Sequence, residues 1–467
     1  MKTGTSNKLE QLRTFFVSKT FMSAVFVLAC VFAATGTVKA GLAAFIVLIS
    51  VIFAVCDDIG AIMLPTFLLM LFMTKSDGKY DGIIGYVWLL VVIVPAIVFH
   101  LVAYRKKPVI GKALRGLLAV SVAVTLGGLG SISAKDYFTF SSLYHIAGLG
   151  FGMVAVYVFL SGAIAANKRY QTGEFYARVF ALAALFACFM VIEHYIVNIG
   201  EVVETGRALS FQWRNNVSTF LMIALPFPFY LSLKKPYMLW LGVLCAVSLL
   251  LAGSRGGLIF GSAEFVLCMV YVIVCDKKKR KRNIAVLSVM AALALAFISQ
   301  LYTFLLMTPE RMLDASTDIR WRLIERAVQD FKDSPLFGKG LSYKGNYDVW
   351  PPKKFALCWY HSSPFQVIGS MGVFGILAYG YRTLNMAGVL FAKRSRFGMA
   401  LAISVLGLEM MSLVNPGIFC PFPYAFLLVI ILVIAEKYDP AEEASPPADA
   451  KAGKTAAPAE KQQGGVR

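Results

Sequence analysis

The chain reads as an all-α, polytopic transmembrane bundle of 12 to 14 helices with one large loop on the outer side of the membrane. Three observations predict this: a surplus of apolar residues, fourteen apolar runs of helical length, and a one-sided distribution of Lys and Arg between them. Hydrophobic residues make up 58% of the 467 and charged residues 15%, with a mean hydropathy of +0.70. Soluble domains carry about 25% charged residues, so no soluble core would absorb this surplus. A bilayer does, because a spanning helix needs about 20 mostly apolar residues, and Ile83 to Ala103 and Ile284 to Leu305 are such runs. The net charge of +19 does not point to nucleic acid. Its Lys and Arg fall in short clusters between the apolar runs, which is how membrane orientation is written.

The runs lie near 21–36, 41–56, 59–73, 83–104, 116–133, 143–166, 177–197, 216–233, 237–252, 257–275, 284–305, 363–387, 397–414 and 423–435. Two abutting pairs, 41–56 with 59–73 and 237–252 with 257–275, reduce the count to twelve if one pair does not fully span. Either even number puts both termini on one side. With the N-terminus inside, the short inner connections hold nineteen basic residues, among them Arg105, Lys168, Lys234, the run Lys277 to Arg282, and Lys393. The short outer connections hold seven: Lys39, Lys75, Lys79, Lys135, Arg207, Arg214 and Arg255. That excess decides the orientation.

The expected organisation is a cytoplasmic N-terminus over 1–20, eleven helices over 21–305, an extracytoplasmic loop over 306–361, three more helices over 362–435, and a disordered cytoplasmic tail over 436–467. Met1 to Thr20 shows no cleavable signal, so the first apolar run is expected to remain as a helix. The tail is rich in Ala, Pro, Glu and Lys without apolar periodicity. Cys30, Cys56, Cys188, Cys245, Cys268 and Cys275 fall in or beside apolar runs, and only Cys358 and Cys420 lie in outer segments. No CxxC and no Cys/His spacing suggests a metal, and no metal or cofactor is expected.

The loop is too long and too patterned to be a connector. Ser316-Thr317-Asp318 can cap a helix from about Ile319 to Lys332, with Leu323, Ile324, Ala327, Val328 and Phe331 on one face, and Asp333-Ser334-Pro335 stops it. Arg320, Arg322 and Arg326 decorate this helix. Phe337-Gly338-Lys339-Gly340 follows as a flexible turn whose backbone N–H groups can approach an anion. Tyr343, Tyr347, Trp350, Trp359 and Tyr360 then offer flat faces for sugars. Composition is equally compatible with a small amphipathic subdomain lying on the membrane, its aromatics an interfacial belt.

His361 closes the loop, on the same expected side as Arg207, Arg214 and Arg255. An arginine at a helix end often only snorkels to the interface. Several fork-shaped, permanently charged donors on one face also suit a pyrophosphate.

Arg207-x-x-Ser210-x5-Asn216 heading a helix, Ser254-Arg255-Gly256-Gly257, Arg320 fifteen residues before Pro335-Leu336-Phe337-Gly338-Lys339-Gly340, and His361 followed by Gly372-Val373-Phe374-Gly375 together resemble the bacterial O-antigen ligase and O-antigen polymerase superfamily. The resemblance covers about Glu204 to Ala378. It implies a glycosyltransferase of the bacterial cytoplasmic membrane that moves a glycan from an undecaprenyl-pyrophosphate carrier to a glycan, lipid or wall acceptor on the outer face. It further implies catalytic roles for His361, Arg255 and Arg207 or Arg214, and substrate binding by Arg320, Arg322, Asn216, Trp359 and Tyr360. The residues agree in one respect: there is no Asp-x-Asp pair and no Gly-x4-Gly-Lys-Ser/Thr loop, so a metal-free mechanism on a donor with its own leaving group is expected. Glu264, Glu409, His145 and Glu193-His194 lie in or near spans and support another reading, a transporter or flippase for lipid-linked glycan.

Overall fold

A computed structural model describes residues 2–75, 87–132, 146–166, 172–201, 209–297, 299, 310–341, 360–415, 417–419 and 424–440. Among them all regular structure is helical. The helices are α1 (Lys2–Phe16), α2 (Lys19–Ala34), α3 (Val38–Val55), α4 (Gly60–Lys75), α5 (Leu90–Ala103), α6 (Ala113–Ile132), α7 (Met153–Ala165), α8 (Gly173–Val197) and α9 (Phe211–Ala224). There follow α10 (Pro226–Ser232), α11 (Met238–Ala252), α12 (Arg255–Cys275), α13 (Arg280–Ala296), α14 (Glu310–Asp333), α15 (Ser363–Leu390), α16 (Arg396–Ser412) and α17 (Ala425–Lys437).

Each of the fourteen apolar runs coincides with one or two of these helices. Among the described residues α3, α8, α12 and the helix from Ile146 to Ala165 are long and apolar enough to cross a bilayer alone, and the α1–α2 pair, bent by 61°, makes a fifth. α8 lies at the centre, packed by α2, α4, α9, α10 and α11, and most of its side chains are buried. A helix apolar on all sides must be enclosed by others or by lipid. Outward-facing Val, Leu, Phe and Ile on α5, α12 and α15 are what a bilayer, rather than water, would cover.

The contacts sort the helix ends into two groups. At one end Arg13 of α1 donates to the carbonyl of Val55, Lys106 pairs with Asp57, Lys234 pairs with Glu174, and Lys393 donates to the carbonyl of Glu436. At the other end Lys75 pairs with Glu193, and Tyr424 donates to the carbonyl of Asn216. The up-and-down order of the spans requires this alternation. The basic connections around Arg105, Lys234, Lys277 and Lys393 thus share one end, and Arg214, Arg255 and His361 sit on helix ends that belong to the other.

Several local expectations are corrected. Within the N-terminal segment, residues 2–16 form a helix that the hydropathy pattern did not indicate. α14 starts at Glu310, so Ser316-Thr317-Asp318 lie inside it and do not cap it; Glu310, Arg311, Met312, Leu313 and Ala315 are all good helix formers and carry the helix back past that signal. Its stop at Asp333 is as expected. The run 216–233 is two helices, because Pro226 cannot donate to a continuing ladder and instead opens α10. The last helix runs to Lys437, and Tyr438 is buried, donating or accepting at Ser395; Glu436 belongs to the bundle, where its carboxylate accepts from Ala113 N and Tyr157. Residues 441–467 lie outside the described residues.

The glycine turn after α14 also differs from expectation. Lys339 N donates to Gly369 O and Gly340 N to Ser370 O, both at 2.9 Å, and Gly338 N donates to Ser334 O at 2.9 Å. In return Val373 N donates to Pro335 O at 2.8 Å. These amides are consumed by protein carbonyls and offer nothing to an anion. What they do is splice the loop into a break in α15, where Gly372 has φ +59°. Gly338, at φ +68°, lies against the backbone of Ser370 and Met371 with no room for a Cβ.

Candidate active site

The site is assembled at the end of the bundle opposite the basic connections, from three helix starts and the loop helix. α9 begins at Phe211, placing Arg214 and Asn216 in its first two turns. Gly253 ends α11 in the left-handed conformation, and Ser254 caps α12, accepting from Gly257 N at 3.3 Å. The same hydroxyl donates to Asn215 Oδ1 at 2.8 Å, so one serine ties the starts of α9 and α12 together and holds Arg255 beside Arg214. Gly256 and Gly257 are small because α12 is pressed against Met411, Val414 and Ser218. The pair therefore serves helix packing, and the arginine is aimed by it.

Arg255 and Arg320 both act electrostatically on Arg214, Arg255 acts on Arg320, and Arg320 acts on His361. Three arginines and a histidine, far apart in sequence, thus share one field. Burial and Arg255 both disfavour the charge on Arg320. Among the described residues no carboxylate forms an ion pair with Arg255 or Arg320. Like charges gathered in a part-buried site are costly unless an anion joins them.

His361 has φ +51°, the one non-glycine residue with positive φ among those described. A histidine in that region is strained and is kept there by its surroundings. Burial, and then the charge of Arg320, lower its pKa to about 4, so the imidazole is neutral at physiological pH and able to accept a proton.

Behind His361 is a buttress that the sequence did not announce. Asp330 is fully buried on α14, held by Arg326 Nε at 3.2 Å and by the Tyr360 hydroxyl, which donates at 2.6 Å. Tyr360 N donates to Gln366 Oε1 at 3.2 Å, and Gln366 Nε2 donates to Ser370 Oγ at 2.7 Å. The Tyr360 ring lies against Gly369. Tyr360 is 1% exposed and here offers no face to a sugar; it fixes the backbone of the next residue, His361. The i, i+4 spacing of Arg326 and Asp330 was the available signal, but nothing in the sequence tied either to Tyr360.

Of the residues singled out from sequence, Arg214, Arg255, Arg320 and His361 are brought together. Asn216 is buried one helical turn deep, with its side-chain oxygen lacking a hydrogen-bond partner among the described residues. Arg322 is exposed, two positions from Arg320 and so turned to the other side of α14. Arg207 and Trp359, with Tyr343, Tyr347 and Trp350, lie outside the described residues, as do Cys358, Cys420 and His145.

Residues 240–380 match the O-antigen ligase family model. This stretch belongs to the O-antigen ligase superfamily. No curated protein and no solved structure matches the chain. The O-antigen ligase domain spans α11 to most of α15 and contains Arg255, Arg320, Tyr360, His361 and the splice at Gly372; Arg214 enters the site from outside it. The chain is thus a multi-pass membrane protein that carries, over residues 240–380, a stretch similar to the O-antigen ligase family.

Proposed function

We propose that the protein is a metal-independent glycosyltransferase that moves a glycan from an undecaprenyl-pyrophosphate carrier to an acceptor on the outer face of the bacterial cytoplasmic membrane. The observation that carries this is the shared field of Arg214, Arg255 and Arg320 beside a neutral His361. A pyrophosphate is the multiply charged anion such a field suits. In the reaction, an acceptor hydroxyl oxygen attacks the anomeric carbon of the donor. Its proton passes to His361, the bond from that carbon to the pyrophosphate oxygen breaks, and the electron pair leaves with undecaprenyl pyrophosphate. The arginines stabilise the charge arriving on the leaving group, each such donor contributing ~3 kcal/mol in a water-poor site. Arg207 or the aromatic Trp359 would complete the donor and sugar contacts.

Purified protein supplied with carrier-linked glycan and acceptor is expected to transfer in EDTA and to lose transfer in His361→Ala and Arg255→Ala. Full transfer by correctly inserted variants would remove the site. Cysteine labelling from outside intact cells at Arg322→Cys tests the membrane face.

Transport or flipping of lipid-linked glycan is favoured by a different observation. Glu264 is fully buried in α12, and Arg382 of α15 pairs with Glu409 of α16 at 2.5 Å, all within membrane helices. Flipping in liposomes without any acceptor would decide for that reading.

A further inference from the structure

At the end of the basic connections, a cavity of about 520 Å³ opens between the C-terminal ends of α10 and α12 and the start of α16. Lys277, Lys278 and Arg396 bring three cations to its wall, Asp276 one carboxylate, and Leu233 and Val274 apolar surface. Asp276 does not neutralise these three. Its side chain accepts from Lys279 N at 3.2 Å and pairs with Lys279 Nζ at 3.1 Å, and the same amine donates to the carbonyl of Leu233 at 3.4 Å. Lys279 thus ties the end of α10 to the end of α12 and consumes the one acidic group in the wall. Glu174, the other acid serving these connections, is shared by Arg178, Lys234 and Lys235. Lys277 and Lys278 pair with no carboxylate among the described residues. Arg396 opens α16, and its carbonyl accepts from the Tyr271 hydroxyl of α12 at 3.2 Å, which fixes it beside the two lysines.

The cavity continues beyond its cations. Val274, in its wall, is 64% exposed, and Val270 and Leu267 are exposed one and two turns back along α12. Positions four and seven apart share a helical face, so these three make an apolar track running about 10 Å along the helix, away from Lys277 and Lys278. Tyr237 and Trp240, exposed at the same end of α11, mark the level at which aromatic rings meet the headgroup region. A cationic pocket at headgroup level leading onto an apolar track has the two-part chemistry of a phospholipid.

We propose that this pocket binds the phosphate headgroup of an anionic phospholipid from the leaflet at that end, with an acyl chain on Leu267, Val270 and Val274. The guanidinium of Arg396 and two ammonium groups suit a phosphate. A zwitterionic headgroup brings its own cation among three others and is disfavoured. The site lies at the opposite end of the bundle from Arg214, Arg255 and His361 and is independent of the glycan-transfer reading. A lipid held by both α12 and α16 stabilises the folded protein by mass action.

The test uses the full-length protein in vesicles of phosphatidylcholine alone or of phosphatidylcholine mixed with phosphatidylglycerol. The mixed vesicles are expected to raise the melting temperature, and phosphatidylglycerol with a photoreactive acyl chain is expected to label α12 between Leu267 and Val274. Phosphatidylglycerol retained per protein, counted by native mass spectrometry, should fall roughly tenfold in the double variant Lys277→Gln, Lys278→Gln. Arg280→Gln with Lys281→Gln removes the same charge from the same basic run but outside the pocket. At physiological ionic strength, where charges not in contact are largely screened, it should change retention by less than about twofold. Equal loss in the two double variants would leave only a diffuse basic surface and overturn the site. Equal melting temperatures of the wild-type protein in the two kinds of vesicle would overturn it without any variant having to fold, as would labelling spread evenly over the lipid-facing helices. Soluble glycerol phosphate that protects as well as the lipid does would make this a site for a free phosphate and overturn the lipid assignment.

Discussion

The two ends of the bundle treat charge in opposite ways. At the end of the basic connections, carboxylates match cations: Glu174 serves Arg178, Lys234 and Lys235, Asp57 serves Lys106, and Asp276 serves Lys279. At the other end Lys75 is matched by Glu193, but Arg214, Arg255 and Arg320 press on one another, and His361 is pushed towards its neutral form. Paired, half-exposed charges orient a membrane protein and contribute little else. Clustered like charges cost stability, and they suit the anionic leaving group proposed for this site.

The sharpest way to break this contrast is to remove a cation from each end. Arg255→Ala is expected to lower transfer by about 10²–10³-fold, while its melting temperature without substrate stays equal or rises, because a repulsion has gone. A fall in both would show that Arg255 is structural. His361→Ala is expected to lose about 10²–10⁴-fold with no change in donor binding.

Next in size is the splice that holds the loop over the arginines. Gly338→Ala puts a methyl into the backbone of Ser370 and Met371 at a residue with φ +68°. It should cost ~2–4 kcal/mol, read as lower thermal stability and faster proteolysis between α14 and α15. Tyr360→Phe is smaller: it strips a hydrogen bond from buried Asp330 and should cost ~1–3 kcal/mol, with kcat falling and donor KM little changed if His361 is displaced.

The pH dependence sharpens the comparison further. A histidine held near 4 when folded and near 6.5 when unfolded takes up its proton first in the unfolded state. Stability conferred on the neutral form is therefore present at neutral pH and is lost as pH falls from about 6.5 towards about 4. The acid limb of kcat/KM should lie near 4, and that of kcat should move upward, because bound pyrophosphate offsets Arg320. Coincident limbs would separate His361 from the donor site. The smallest effect belongs to the matched end: Glu174→Gln should change stability by under ~1 kcal/mol and transfer by less than about twofold.

Much of this was legible because hydropathy and loop charge are local quantities. Every apolar run holds helix among its described residues, Asp333 ended the loop helix, and Arg214, Arg255, Arg320 and His361 could be picked out by type and order. The reversals share one cause, that a local signal was outvoted by a partner distant in sequence. Phe337-Gly338-Lys339-Gly340 has the composition of an anion-binding turn, but its amides are claimed by Gly369 and Ser370. Tyr360 has the composition of a sugar platform, but Asp330 and Gly369 claim both its ends.

Composition and order thus determined on their own that the chain spans a membrane many times, and which cations and which histidine to watch. Only tertiary structure decided that Ser254 and Asn215 bring two helix starts together, that a break at Gly372 takes in the loop, and that Asp330 and Gly369 claim Tyr360. The physical reason is that transfer into a bilayer is a sum over single residues, whereas a site depends on which backbone and side-chain groups are left unclaimed after packing.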